Sequence, residues 1–220
     1  MTVAECYQYV QLRLNKISTN SNDNIPIFAF VSAFNTQQML WAEDRFKINE
    51  NNIVRIDELN HLLKSADKPL VSIGGTNRYL EFELPQDYFH YSTSTSLTPC
   101  EIRNHLVKEG NINTLLLDEN WKPSLEWGET IATIVGKKLR VYIDGFTVSG
   151  VNLTYYRFPK NINMASGFND VNNNTTIDVD PELIGASLIE VLNMTCELLA
   201  GDTQDQWNQQ ISSQRSQRHT

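Results

Sequence analysis

The stretch LVSIGGTNRYLEFEL, residues Leu70–Leu84, decides the fold class, because the spacing of apolar residues changes here from helical to alternating. Apolar and polar residues alternate from Arg78 to Leu84, which is typical of a half-buried strand. One predicted face carries Leu80, Phe82 and Leu84, and the other carries Tyr79, Glu81 and Glu83. Gly74 and Gly75 follow a short apolar run, so we expect two strands joined by a glycine turn.

The residues before this stretch have the spacing of helices. Thr2 and Glu5 form a capping box that predicts a first helix with apolar residues at helical intervals. A second helix is predicted to start at Pro26, which suits the first helical position. A third helix is indicated by Ile56, Leu59, Leu62 and Leu63, and it should end before Pro69. We therefore expect a helical part over residues 1–68.

The residues after this stretch continue as strands. The predicted strands are Glu101–Lys108, Thr130–Val135, Lys138–Ile143 and Thr147–Tyr156, with turns at Gly136-Lys137 and Asp144-Gly145. Residues Leu115–Glu126 are predicted to be a loop or a short helix. A β-rich part is thus expected over residues 69–160.

A last helix is predicted over residues 180–200. Asp180 would be its N-cap, Pro181 its first residue and Gly201 its C′ residue. Its residues, Leu192 among them, are apolar around most of the circumference, so most sides must be covered. It is therefore either the central core helix of this chain or a helix partly covered by another subunit.

The polar tail, residues 202–220, follows this helix. Trp207 and Ile211 are four residues apart, so one helical turn would present both to a partner. The alternative is a frayed terminus. Taken together, the patterns predict an α+β protein: a helical N-terminal part, a β-rich middle, a long C-terminal helix and a polar C-terminal tail. We expect one domain over residues 1–201 and an extended arm over 202–220.

Composition excludes several classes of function. The chain has 220 residues and a formal net charge of −8, so it has no overall attraction to nucleic acid or to anionic lipid. It has no apolar run long enough for a membrane span and no signal peptide pattern at its N-terminus. Cys6, Cys100 and Cys196 are odd in number and far apart, which argues against disulfides or a zinc site.

No local motif for chemistry is present, so we predict no enzyme activity and no catalytic, cofactor-binding or metal-binding residues. The histidines have no metal-ligand spacing, and the Asp- and Asn-rich residues 170–180 lack the order of a calcium loop. A small hydrolase or transferase with a non-local site remains an alternative. Another alternative is a carbohydrate-binding module, in which Trp41, Trp121, Trp127 and Trp207 would line a sugar platform. The best argument for it is that Trp121 and Trp127 lie close together around Pro123.

Particular phrases carry a resemblance to a known family. Val151-Asn152-Leu153-Thr154-Tyr155-Tyr156-Arg157-Phe158-Pro159 ends the last strand, and Asp178-Val179-Asp180-Pro181-Glu182-Leu183-Ile184 opens the last helix. Upstream stand Phe82-Glu83-Leu84-Pro85-Gln86-Asp87-Tyr88 and Lys122-Pro123-Ser124. Between about Phe28 and Leu199, the chain resembles ring and head-to-tail connector proteins of crAss-like and related short-tailed bacteriophages.

The resemblance implies a passive structural role. It implies a homo-oligomeric ring of about twelve copies in the virion neck, assembled in the host cytoplasm, that contacts the portal protein and adjacent ring or tail proteins. Genomic DNA would pass through without specific binding, which agrees with the acidic net charge. The residues expected at interfaces are Tyr155, Tyr156, Arg157, Leu192, Trp207 and Ile211. A tail-hub or other neck protein is the structural alternative.

Overall fold

The computed structural model describes residues 1–17, 25–49, 59–66, 68–165 and 177–202. Their contacts divide the chain into two compact units, Met1–His61 with Pro159–Thr220, and Leu62–Phe158. We call the first the helical unit and the second the sheet unit. The expected α+β class, with N-terminal helices, a central sheet and a long C-terminal helix, is confirmed. The expectation of a single domain over residues 1–201 stays a prediction.

The described residues form four α-helices: α1 (Val3–Ile17), α2 (Ile27–Asn49), α3 (Ile112–Leu117) and α4 (Gly185–Asp202). The capping box at α1 is confirmed, because the Glu5 amide donates to Thr2 Oγ1 at 3.3 Å and the Thr2 amide donates to Glu5 Oε2 at 2.8 Å. Helix α2 begins directly after Pro26, whose carbonyl accepts a hydrogen bond from the Phe30 amide.

The described residues also form eight strands in one sheet. They are β1 (Leu63–Ser65), β2 (Ser72–Gly75), β3 (Tyr79–Glu83), β4 (Tyr88–Leu97), β5 (Glu101–Leu106), β6 (Glu129–Val135), β7 (Lys138–Tyr142) and β8 (Gly150–Arg157). The strand order is β1-β8-β4-β5-β6-β7-β3-β2. Among the described strands, only β5 and β6 pair in parallel, and the remaining neighbours are antiparallel.

The sheet is curled, and residues 66–71 connect its two terminal strands. Leu70 exchanges two backbone hydrogen bonds with Val151 of β8, at 2.7 and 3.0 Å. Two residues later, Ser72 is paired with Phe82 of β3 at the other end of the strand order. The inner face encloses a core made of Phe82, Leu84, Ile102, Ala132, Leu139, Val141, Phe146, Val148, Val151, Leu153 and Tyr155. Helix α3 packs on the outer face through Ile112, which contacts Ile131 and Tyr142.

The predicted third helix is wrong over its described residues. Residues 59–62 form a short 3₁₀ turn, and Leu63 begins strand β1, where it is paired with Tyr156. Leu59 and Leu62 are both buried, as their spacing predicts. They belong, however, to a single 3₁₀ turn and not to a longer helix. The pairing of residues 63–65 with β8 decides their conformation. Ile56 lies outside the described residues.

The turn predicted over Gly74-Gly75-Thr76-Asn77 starts two residues later than expected. Gly74 and Gly75 belong to strand β2, and the chain turns at residues 76–78, where the Thr76 amide donates to the Tyr79 carbonyl. A Cβ atom at Gly75 would lie 2.4 Å from the Tyr79 carbonyl oxygen. Gly75 therefore serves close backbone approach within the hairpin rather than the turn itself.

The sequence pattern does not predict β4, the longest of the described strands, because its residues Ser92–Ser96 carry only hydroxyl side chains. Ser94 and Ser96 nevertheless point to the buried face. Ser96 Oγ donates to Asn104 Oδ1 at 2.6 Å, and Asn104 Nδ2 donates to Ser94 Oγ at 2.8 Å. Hydrogen bonding therefore replaces apolar packing here, since buried polar groups need partners.

The start and end of the last helix differ from the prediction. Helix α4 begins at Gly185 and continues through Asp202, so Asp180 is not its N-cap and Gly201 is not its C′ residue. Asp180 Oδ1 instead accepts a hydrogen bond of 2.7 Å from the Val3 amide in the first turn of α1. The capping chemistry is the expected one, but tertiary structure brings Asp180 to another helix.

Candidate interaction surface

Two of the expected interface residues, Tyr155 and Tyr156, are buried on strand β8. Tyr155 has 1% of its surface exposed, and its hydroxyl donates to Asp87 Oδ1 at 2.7 Å. Lys64 Nζ lies 3.2 Å from Asp87 Oδ2. Partial burial alone would raise the pKa of Asp87, but the hydrogen bonds from Tyr155 and Lys64 outweigh burial and lower the pKa below its ordinary value.

Tyr156 and Arg157 are the other two expected interface residues in the segment Val151–Pro159. Burial raises the pKa of the Tyr156 hydroxyl, and Arg157 is half-buried and donates from Nη1 to the Phe158 carbonyl at 3.3 Å. Within this chain, the phrase forms an interior strand between β1 and β4. Its tyrosines therefore have structural roles in the isolated chain.

Leu192, the expected interface residue of α4, is fully buried. Helix α4 packs against both α1 and α2. Its polar residues also bind these helices: Glu190 Oε2 accepts from Trp41 Nε1 at 2.9 Å and from Arg45 Nη2 at 2.5 Å, and Asn193 Oδ1 accepts from Arg13. This chain itself covers the Leu192 side of α4. Trp207 and Ile211 lie outside the described residues.

The described residues hold no group of three or more His, Cys, Asp or Glu side chains that could bind a metal ion. Burial raises the pKa of both the Cys6 and the Cys196 thiols to about 11, so neither is a thiolate at neutral pH. No helix in the described part of the chain is both apolar enough and long enough to cross a membrane.

A shallow recess lies on the outer face of the sheet unit, beside α3. Its lining consists of His105, Glu119, Asn120, Trp121, Lys122, Trp127, Glu129, Thr130 and Ile131. We call it the tryptophan recess. Trp121 is 50% exposed and Trp127 is 80% exposed. Two large aromatic rings therefore face solvent beside several hydrogen-bonding side chains.

Backbone hydrogen bonds order the two chain segments that carry the tryptophans. The Trp121 and Lys122 amides donate to the Asp118 carbonyl, at 3.1 and 3.0 Å. Ser124 and Glu129 exchange two backbone hydrogen bonds across the turn that carries Trp127. The backbone on both sides of Trp127 therefore forms an ordered turn.

His105 links strand β5 to the recess. Its ring lies 6.3 Å from that of Trp121 in an edge-on arrangement. His105 Nε2 is 3.3 Å from Glu129 Oε1, yet this nitrogen has no hydrogen bond of acceptable geometry. His105 and Glu129 meet because β5 and β6 pair in parallel, a long-range feature that the sequence pattern does not predict.

A second exposed feature is the sheet edge at β2. This strand is terminal in the strand order and pairs only with β3 among the described strands. Val71 is 73% exposed and Ile73 is 52% exposed. An edge strand with unpaired backbone groups and exposed apolar side chains is a natural site for contact with another chain.

In comparisons with known proteins, no family model and no curated protein matches this chain. The site residues must therefore be interpreted from their geometry and chemistry alone.

Proposed function

We propose that the protein is a structural subunit of a bacteriophage virion, one protomer of a ring in the head-to-tail connector. The ring would join the portal protein to adjacent ring or tail proteins and surround the channel through which genomic DNA passes. The observation that carries the proposal is the series of sequence phrases that ends with Val151–Pro159 and Asp178–Ile184. These phrases form strand β8 and the segment that leads into α4.

The edge of the sheet unit supplies a physical basis for ring contacts. A closed ring needs a heterologous contact, in which two different surfaces of the same chain meet. Strand β2 is the last strand in the order of the described sheet and carries exposed Ile73, with exposed Val71 directly before it. A neighbouring subunit that packs there would bury both side chains. The net charge of −8 suits a conduit that must not bind DNA tightly.

Electron cryo-microscopy of the native particle, reconstructed without imposed symmetry, tests this proposal. We expect a ring of about twelve copies on the neck axis. A peripheral position, or absence of the chain from the particle, would contradict it. A location at the tail end instead of the portal end would favour a tail-hub protein.

A further inference from the structure

The tryptophan recess combines two exposed indole rings with a set of polar side chains. Exposure of Trp127 leaves a large apolar surface in water, and burial of such surface by a ligand is favourable. The ordered turn from Ser124 to Glu129 already holds the backbone that carries this ring. Binding would therefore require little ordering of the backbone, which lowers its entropic cost.

The polar lining restricts the class of ligand. Glu119 and Glu129 would repel an anion, and Lys122 offsets part of their attraction for a cation. The core of a protein–protein interface is depleted in Glu and Lys, so these three side chains around the tryptophans are not typical of a protein contact. The lining suits an uncharged ligand with many hydrogen-bonding groups.

A sugar ring combines an apolar surface with many hydrogen-bonding groups. Its C–H faces are apolar and stack on aromatic rings, while its hydroxyls donate to carboxylates and accept from amides and ammonium groups. In the recess, Glu119 and Glu129 would accept hydrogen bonds, Lys122 would donate, and Asn120 would do both. A lining with several hydrogen-bonding side chains beside two aromatic rings suits a ligand that carries many hydroxyl groups.

We propose that the tryptophan recess binds a saccharide through one or two uncharged pyranose units. Trp127 and Trp121 provide the stacking surface, and Glu119, Asn120 and Glu129 orient the hydroxyls. This site is separate from the ring function proposed above and does not depend on it.

The test uses the full-length chain and uncharged linear hexasaccharides of glucose (β-1,4 and α-1,4 linked), mannose and N-acetylglucosamine. Isothermal titration calorimetry and tryptophan fluorescence would measure binding. We expect saturable binding of at least one of these, with a Kd at or below about 1 mM, as a shallow site permits. Trp127→Ala should weaken that binding about tenfold or more.

Leu117→Ala is the matched control, because Leu117 is 86% exposed nearby but does not line the recess. We expect its affinity to stay within about twofold of the parent chain. Circular dichroism would check each variant for folding. Trp121 packs on His105, so Trp121→Ala can fail to fold. In that case the affinity of Trp127→Ala, at the more exposed position, tests the proposal.

Three outcomes would overturn the proposal. One is that every sugar either shows no saturable binding or binds with a Kd above about 1 mM. Another is an equal loss of affinity in Trp127→Ala and Leu117→Ala. The third is that Trp127→Ala leaves sugar binding intact but abolishes association between copies of the chain, which would assign the recess to a protein contact.

Discussion

Among single residues, Tyr155 illustrates how a side chain expected at an interface can instead stabilise its own fold. Its ring lies in the core of the sheet unit, and its hydroxyl binds the Asp87 carboxylate. The sequence identified Tyr155 as notable, but alternation along β8 fits a core position as well as a contact position. The partner Asp87 is 68 residues away in sequence, so no local pattern could reveal the pair.

Tyr155→Phe should destabilise the protein by about 1 kcal/mol at pH 7, because it removes one hydrogen bond to a partly exposed carboxylate. The lowered pKa of Asp87 means that ionised Asp87 stabilises the folded state. That stabilisation is complete above the ordinary pKa of 3.8 and is lost as the pH falls through the lower folded pKa. Urea unfolding at pH 7, 4 and 2 would measure the difference.

The variant should therefore lose less stability on acidification than the parent chain does. Equal losses between pH 4 and 2 would show that Tyr155 contributes nothing to the ionised state of Asp87. Tyr88→Phe is a suitable comparison, because Tyr88 packs on Tyr155 and its hydroxyl does not bind Asp87 in this structure.

At the level of elements, helix α4 shows that an apolar helix can be covered by its own chain. Leu192 is completely buried, whereas Ile189 on the same helix is 47% exposed. The sequence left two possibilities open, a central core helix or a helix covered by another subunit. Contacts with α1 and α2 account for the burial of Leu192, while Ile189, three residues earlier, remains partly exposed at the border of the buried face.

Leu192→Asp should destabilise the protein by about 4 kcal/mol or more, because it removes buried apolar contacts and places an unpaired charge in the core. The matched control is Ile189→Asp, which should cost about 1 kcal/mol or less. Denaturant unfolding followed by circular dichroism would compare the two. Similar costs for both substitutions would mean that the buried side of α4 is placed incorrectly.

For the whole molecule, the curled sheet leaves β2 as an exposed edge while enclosing its own core. Lysine on an edge strand prevents pairing with another chain. Under the ring proposal, Ile73→Lys should reduce incorporation of the chain into particles about tenfold or more while leaving its unfolding free energy within about 0.5 kcal/mol. Mass spectrometry of purified virions would measure incorporation.

Ile73→Val is the matched control, since it keeps an apolar β-branched residue at the edge. It should assemble like the parent chain. Normal incorporation of Ile73→Lys would remove β2 from the ring contact, although the ring itself could still form through another surface.

The sequence by itself determined the elements with strong local signals. These are the capping box of α1, the start of α2 after Pro26, and strands β3, β5, β6, β7 and β8, all of which follow from periodicity and capping. It also identified Trp121 and Trp127 as a candidate pair. Each of these depends on residues that are neighbours along the chain.

Tertiary structure alone decided the remainder. Strand β4 is stabilised by hydrogen bonds from Ser94 and Ser96 to Asn104, and hydroxyl alternation carries no hydrophobic signal. Asp180 caps α1 across 177 residues, and residues 63–65 become a strand because β8 is beside them. The parallel pairing of β5 with β6 brings His105 and Glu129 into one recess. In each case the stabilising partner is distant in sequence, and only the folded chain brings it into contact.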